Sequence, residues 1–410
     1  MPKRTAPVHA RKANSGAIRE LGGGTMRRGS VDRARSIALA FVSVAFALAL
    51  VPAIAAARTT TEQPSSILIF PKVIADGTRD TFIQISNTAN SVVHAHCLYV
   101  NAYPTCQGIG DCQEGTCSGA CVPQWQEIDF NIWLTKQQPT HWGVSFGRRD
   151  GVAAPTCNRD IRTGEREYDC YDAGLSPGLV PPVPLPFEGE LRCIEVDQSG
   201  APISGNHLKG EATIISRDGD ASKYNAVGIL GEPFTNNGDN VLCLGGEPSA
   251  ECPTGAEYQG CPDRFWIPHF ASGADNPIFG PTSTVRTEFT AVPCRVNFER
   301  ASLDPTRVTL QFFVFNEFEG RLSASTQVEC WRSFFLEDAN PIFSVAVQQT
   351  RLVQTSVRPV VPSSGSGSSV AMVVEEFHAL PNGSTARAAY NAHERGEFGG
   401  SEVIELPAGP

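Results

Sequence analysis

From residue 65 onward the chain alternates short apolar runs with turn residues. "SSILIFPKVI", "TFIQISNT", "VVHAHCLYV", "DFNIWLTK", "GELRCIEVD", "EATIISR", "VTLQFFVFN", "SASTQVECW", "IFSVAVQQTRLVQTSV", "VAMVVEEFHAL" and "TARAAYNAH" are rich in Val, Ile, Thr and aromatic residues, with Gly, Pro, Asn and Asp between them. Such text reads as strands joined by turns. No run shows an amphipathic helix longer than three turns. The pattern predicts an all-β protein, with two immunoglobulin-like β-sandwich domains as the first expectation and a barrel as the alternative.

The roughly 350 residues after position 57 suit two domains. The boundary is expected in "GEPFTNNGDN", where turn residues dominate, giving a first sandwich over 62–234 and a second over 235–410. A weak internal echo supports the division. "TFIQISNTANSVVHAHCLYV" and "VTLQFFVFNEFEGRLSASTQVECWRSF" each run from a strand with Gln and Asn through a polar turn to a strand with Cys. The Asn87-to-Cys97 and Asn316-to-Cys330 spacings differ. "PSSGSGSS" at 362–369 reads as a hairpin loop, and "SPGLVPPVPLPF" at 176–187 as a stiff polyproline connector.

The front of the chain breaks the β pattern. Ser36 to Ala57 is an uncharged run, preceded by Arg27, Arg28, Arg33 and Arg35 and ending in Ala55-Ala56-Ala57. A basic flank, an apolar run and a small-residue end make a secretory signal peptide. A helix of that length reaches about 33 Å, so an uncleaved N-terminal anchor is the alternative. Residues 1–57 are therefore expected to be a signal peptide or anchor with a basic n-region. Met26 opens a second, shorter signal of the same kind, and Arg27-Arg28 raises the twin-arginine route. The rest of the chain is expected to be secreted, periplasmic or on the cell surface. A membrane is expected as a partner only through 36–57 if they are retained.

Residues 1–57 hold nine of the 33 basic and two of the 43 acidic residues. Their removal leaves 24 basic and 41 acidic, a net charge of −17. That surface repels phosphate backbones, so nucleic acid is not expected as a partner.

All 13 cysteines lie beyond residue 57. In an oxidising compartment they are expected to be mostly disulfides, with at least one left over. Cys106, Cys112, Cys117 and Cys121 fall in a stretch with little apolar content. The insertion 104–123 therefore reads as a loop held by covalent staples. The Cys112, Cys117 and Cys121 spacing is also near that of zinc ligands. Local pairs are expected for Cys157–Cys170 and Cys252–Cys261, and Cys294 and Cys330 for a bridge between two strands.

Alternation on a strand puts His94 and His96 on one face and Cys97 on the other. The two histidines could hold copper or zinc with a third ligand from His141, His207, His269 or a carboxylate. The plainer reading is a strand whose half-exposed histidines flank a disulfide cysteine. Asp218, Asp220 and Ser222 begin like a calcium loop, but Lys223 replaces the required Gly and Ile229 stands where Glu belongs, which favours a surface turn. Trp125, Trp133, His141 and Trp142 lie close in sequence and read either as a carbohydrate- or peptide-binding surface or as core packing. There is no G-x-S-x-G, no H-E-x-x-H and no P-loop.

The stretches "ILIFPKVIADGTRDTFIQISNTANSVVHAHC", "PFEGELRCIEVDQSGAPISGNHLKGEAT" and "TLQFFVFNEFEGRLSAST" resemble uncharacterised secreted proteins of Gram-negative bacteria over most of the exported chain. The resemblance implies export and a β-rich fold, and carries no activity. The expected function is a secreted or envelope-associated structural or adhesion protein without catalytic activity or cofactor. Its partner would be a protein or a glycan. A carbohydrate- or peptide-binding module and a periplasmic metalloprotein using His94 and His96 are the alternatives.

Overall fold

A computed structural model of the chain describes residues 59–106, 121–123, 125–148, 178–233, 235–276, 280–299, 305–360 and 369–407. The expected signal segment, most of the expected Cys-rich insertion with Cys112 and Cys117, Cys157 and Cys170, and all but Ser369 of the expected hairpin loop at 362–369 lie outside the described residues. For Cys106 and Cys121 the backbone shows the two directly opposite each other in a short strand pair.

The main strands are β1 (Ile67–Ala75), β2 (Arg79–Asn87), β3 (Val93–Asn101), β4 (Gln126–Leu134), β5 (Pro139–Gly143), β6 (Phe187–Val196), β7 (Leu208–Ser216) and β8 (Ala221–Asn225) in the first half. The second half adds β9 (Pro262–Phe270), β10 (Gly280–Pro293), β11 (Arg307–Asn316), β12 (Arg321–Glu329), β13 (Arg332–Phe335), β14 (Leu352–Val360), β15 (Val370–Ala379), β16 (Thr385–Asn391) and β17 (His393–Glu397). Among the described residues the helices are single turns of at most four residues, and no helix is long and apolar enough to cross a membrane. The all-β expectation holds.

The first sheet runs β8-β7-β2-β1-β6-β3-β4, with β5 against β2. One core takes inward residues from both ends of this order, including Ile83, Trp142 and Ala212 from β2, β5 and β7, and Cys97, Ile132 and Leu191 from β3, β4 and β6. The sheet therefore curls around that core. β1 and β6 are buried along nearly their whole length, because their opposite face packs on a second core. That core joins Ile67, Leu98 and Ile194 to Val292, Ala371 and Ile404 from the second half. Burial on both faces explains why "ILIF" is continuously apolar rather than alternating.

The second half holds a sheet β12-β11-β14-β9-β17 and a sheet containing β10, β15 and β16, with β13 on β10. They share a third core of residues such as Phe265, Phe312 and Val357 from one and Phe289, Met372 and Val374 from the other. The stretch 231–240 is tied down: Gly231 N donates to Asn206 Oδ1 at 2.7 Å, and Asn237 N to Glu257 Oε1 at 2.9 Å. The internal echo has no topological counterpart. β2 and β3 are separated in the sheet by β1 and β6, whereas β11 and β12 form a hairpin.

Three disulfides are present among the described residues, and they fit an oxidising compartment. Cys97–Cys193 links neighbouring residues of β3 and β6. Two expected pairings are corrected. Cys252 bonds Cys243, not Cys261, because the two close one nine-residue loop whose turn is held by Ser249 N on Cys252 O at 2.9 Å. Cys261 bonds Cys294, bringing the chain before β9 to the end of β10. Cys330 is a free, buried thiol. It sits on a tight turn at φ +47° with its N–H on Thr306 O, and burial pushes the thiol up to about 12.

Candidate functional site: an arginine-lined groove

The sequence-predicted residues do not converge. His94 and His96 share a half-exposed face of β3, as alternation requires. His94 meets Trp133 edge-on at 5.7 Å between ring centres. His96 Nε2 lies 3.4 Å from Asp129 Oδ2, an ion-pair distance without hydrogen-bond geometry. Among the described residues no three His, Cys, Asp or Glu side chains gather as a metal site. The aromatic surface is corrected as well. Trp142 is buried in the first core, where its Nε1 donates to the Tyr99 hydroxyl at 2.7 Å. Trp125 is buried in the second core, beyond the other face of the sheet. His141 is exposed and Trp133 half-buried. Large rings on inward positions of a strand go to the core first.

A concave site forms elsewhere, from two Asp-Gly turns that bracket the strand pair β2–β7. In the first, Asp76 Oδ1 accepts from the Thr78 N–H, the Thr78 hydroxyl and the Arg79 N–H at 2.8, 2.6 and 2.7 Å. Burial opposes ionisation there, but these bonds outweigh it and hold the carboxyl near 2. The turn needs the left-handed conformation at Gly77, φ +84°. Asp76 Oδ2 then takes Arg79 Nε at 2.9 Å and fixes the guanidinium. In the second turn, Ser216 N bonds Asp220 O at 2.8 Å and Gly219 has φ +87°. Arg217 N bonds Thr78 O at 2.8 Å, which ties the two turns together.

The third side comes from β15 and β16. Arg387 lies over the Phe377 ring at 5.4 Å, bonds the Ser216 hydroxyl and reaches Asp220 Oδ2 at 3.3 Å. Asp218 and Asp220, the calcium-like pair, are thus faced by an arginine, and the surface-turn reading stands. Thr78, Arg79, Ser216, Arg217, Asp218, Phe377 and Arg387 enclose a groove of about 540 Å³. A second hollow of about 340 Å³ continues it past Asp80, Phe82, Ser145, Leu185 and Ile215. Phe82 packs edge-on against Phe146, and Phe146, Leu185 and Ile215 are exposed. Arg217 is exposed, and its guanidinium has no hydrogen-bond or ion-pair partner among the described residues.

The arrangement offers fixed donors and acceptors beside an apolar wall. "ADGTRD" and "SRDGD" are the sequence traces of the two turns. Each puts Arg and Asp around a turn glycine, but nothing in the spacing says that the turns meet. No protein-family model matches the chain, and no curated protein matches it by sequence.

Proposed function

We propose that this is a secreted or envelope-associated binding protein without catalytic activity, acting in adhesion or surface assembly, in which two immunoglobulin-like sandwiches hold the arginine-lined groove. The observation that carries the reading is the placing of two arginines held by carboxylates, Arg79 by Asp76 and Arg387 by Asp220, beside the apolar wall of Phe82, Leu185 and Ile215. Concave sites with a few fixed polar groups and apolar lining suit small ligands. A glycan fits better than an apolar molecule, since its hydroxyls both donate and accept and its C–H faces pack on rings. Residues 1–57, read as a signal peptide or N-terminal anchor, put the rest of the chain in the exported setting, and the disulfides fit that setting.

The test is titration of the purified exported chain with a panel of neutral and acidic oligosaccharides by calorimetry, alongside Arg217→Ala. Saturable binding to a member of the panel, lost in Arg217→Ala with an unchanged melting temperature, supports the reading. Silence across the panel, or binding indifferent to Arg217, removes the groove as the ligand site. Turnover of a ligand by the pure protein removes the non-catalytic assignment.

A further inference from the structure

Sheet edges are a liability, and most proteins blunt them with charge, proline, bulges or short length. The described edges here mostly obey. β17 reads "HERGE" and pairs β9 through register shifts. β4 carries Glu127 and Asp129, the five-residue β8 carries Lys223, and β16 carries Arg387. β12 does not. It is nine residues long, "RLSASTQVE", pairs β11 without a bulge, and has no charge or proline between Arg321 and Glu329.

Its free side can be phased. Asn316 N bonds Gly320 O, and Cys330 N bonds Thr306 O, so the even-numbered residues of β12 face β11 with their backbone groups. The odd-numbered ones, Arg321, Ser323, Ser325, Gln327 and Glu329, therefore point N–H and C=O away from the sheet. Gln327 O, which is outward in this phase, is already engaged: it accepts from the Arg332 guanidinium at 2.8 Å, so a strand added here shares that carbonyl's second lone pair or displaces Arg332. The odd side chains lie on the more open face: residues 321, 323, 325 and 327 are exposed, while Val328 is buried in the third core.

We infer that β12 is a strand-addition edge and that its occupant is β12 of a second copy of this chain. The strand is self-complementary in the antiparallel sense. A two-fold axis through Ser325 places Arg321 opposite the partner's Glu329, Ser323 opposite the partner's Gln327 and Leu322 opposite the partner's Val328. Opposite charges at facing positions favour this register. A slip of two residues breaks both charge pairs, and a slip of one turns the core-facing row outward. Arg321 is unspent: its guanidinium lies over the Phe313 ring at 4.4 Å and has no carboxylate partner among the described residues. Glu329 Oε2 accepts from Arg307 Nε at 2.7 Å, and a carboxylate has room for a second donor. The contact is isologous, so it closes as a dimer and does not propagate. Two five-stranded sheets become one of ten strands. The inference rests on the β12 edge and not on the groove.

The test is sedimentation velocity of the full exported chain across micromolar concentrations, with melting temperatures as fold controls. The wild type is expected to show a concentration-dependent dimer. Arg321→Glu and Glu329→Arg are each expected to weaken it by about tenfold or more, and the double swap to restore it. Ser325→Pro, which removes a central outward N–H, is expected to leave a folded monomer. A monomer at every concentration overturns the inference. So does a dimer indifferent to the two charge reversals, which remains a valid test even where Ser325→Pro fails to fold.

Discussion

Lys72 Nζ lies 2.5 Å from Glu375 Oε2 in a fully buried contact between β1 of the first sheet and β15 of the second half. Glu288 on β10 is its second carboxylate. Glu288 and Glu375 face each other in the β10–β15 register, where like charges are destabilising without a cation between them. Lys72 reaches them because β1 bulges between Phe70 and Val73. Ser222 Oγ donates to Glu375 Oε1 at 2.6 Å and Ser333 Oγ to Glu288 Oε1 at 2.9 Å, so the remaining oxygens are satisfied. Burial pulls the lysine toward its neutral form, but the two carboxylates outweigh it and raise its pKa above the ordinary value.

Removing the cation alone leaves two buried carboxylates. Lys72→Met is expected to cost about 3–5 kcal/mol, read as a lower urea midpoint. Adding Glu288→Gln and Glu375→Gln to Lys72→Met is expected to recover much of that loss, because the uncompensated charge goes with them. A Lys72→Met midpoint equal to wild type would show that the triad does not hold the two halves together.

The two disulfides with the most different spans make a second test. Cys97–Cys193 spans 96 residues and Cys243–Cys252 spans nine. If the bonds act by restricting the unfolded chain, replacing the first pair with Ala costs about 4–5 kcal/mol and the second about 2–3 kcal/mol. Denaturant titrations of the two double variants give the order directly. A larger loss for the short loop would contradict the entropic account.

Trp142 and Tyr99 form a buried polar contact in the first core, with the indole N–H on the phenol oxygen. Trp142→Phe removes the donor and part of the ring. It is expected to destabilise by about 1–3 kcal/mol. Tyr99→Phe with Trp142→Phe is expected to cost less than the sum of the single changes, since the two partners leave together. Additive losses in urea midpoints would show that the bond contributes nothing.

Strand text, turn residues and the oxidised cysteines were legible in the sequence because each is a local property. The strand reading of "VVHAHCLYV" held for the same reason: Cys97 faces the core in a disulfide and the histidines alternate to the other side. Long-range pairing was not legible. Cys252 and Cys261 are close in sequence, yet each has a partner set by which loop end or strand end lies nearest in space. Trp125, Trp133 and Trp142 were neighbours in sequence but went to both faces of one sheet. The groove was hidden for a related reason. Arg79, Arg217 and Arg387 come from three separate turns and strands, and only the register of β2 with β7 and the seating of β16 bring them together. β12 is the opposite case, since its uncharged middle and its charged ends were present in "RLSASTQVE". What the sequence lacked was the knowledge that this strand is an edge.

Glu394 sets a pH dependence whose sign can be worked out. It stands opposite Phe265 in the β9–β17 register, so it shares the row that faces the third core. Burial raises its carboxyl to about 7, and no cation offsets this. The folded protein therefore binds a proton that the unfolded chain, with an ordinary glutamate near 4.5, gives up. The contribution is fully present below about 4.5 and is lost as pH rises through about 7. Glu127 titrates in the same window, raised to about 7 by burial and then by Asp129 and Glu299. Stability measured by urea unfolding is thus expected to fall between pH 5 and pH 8 from these two groups. Glu394→Gln removes one of them, so its curve is expected to be flatter and to cross above wild type at the alkaline end. Parallel curves for the two proteins over this range would mean that Glu394 is ionised in the fold at the same pH as in the unfolded chain.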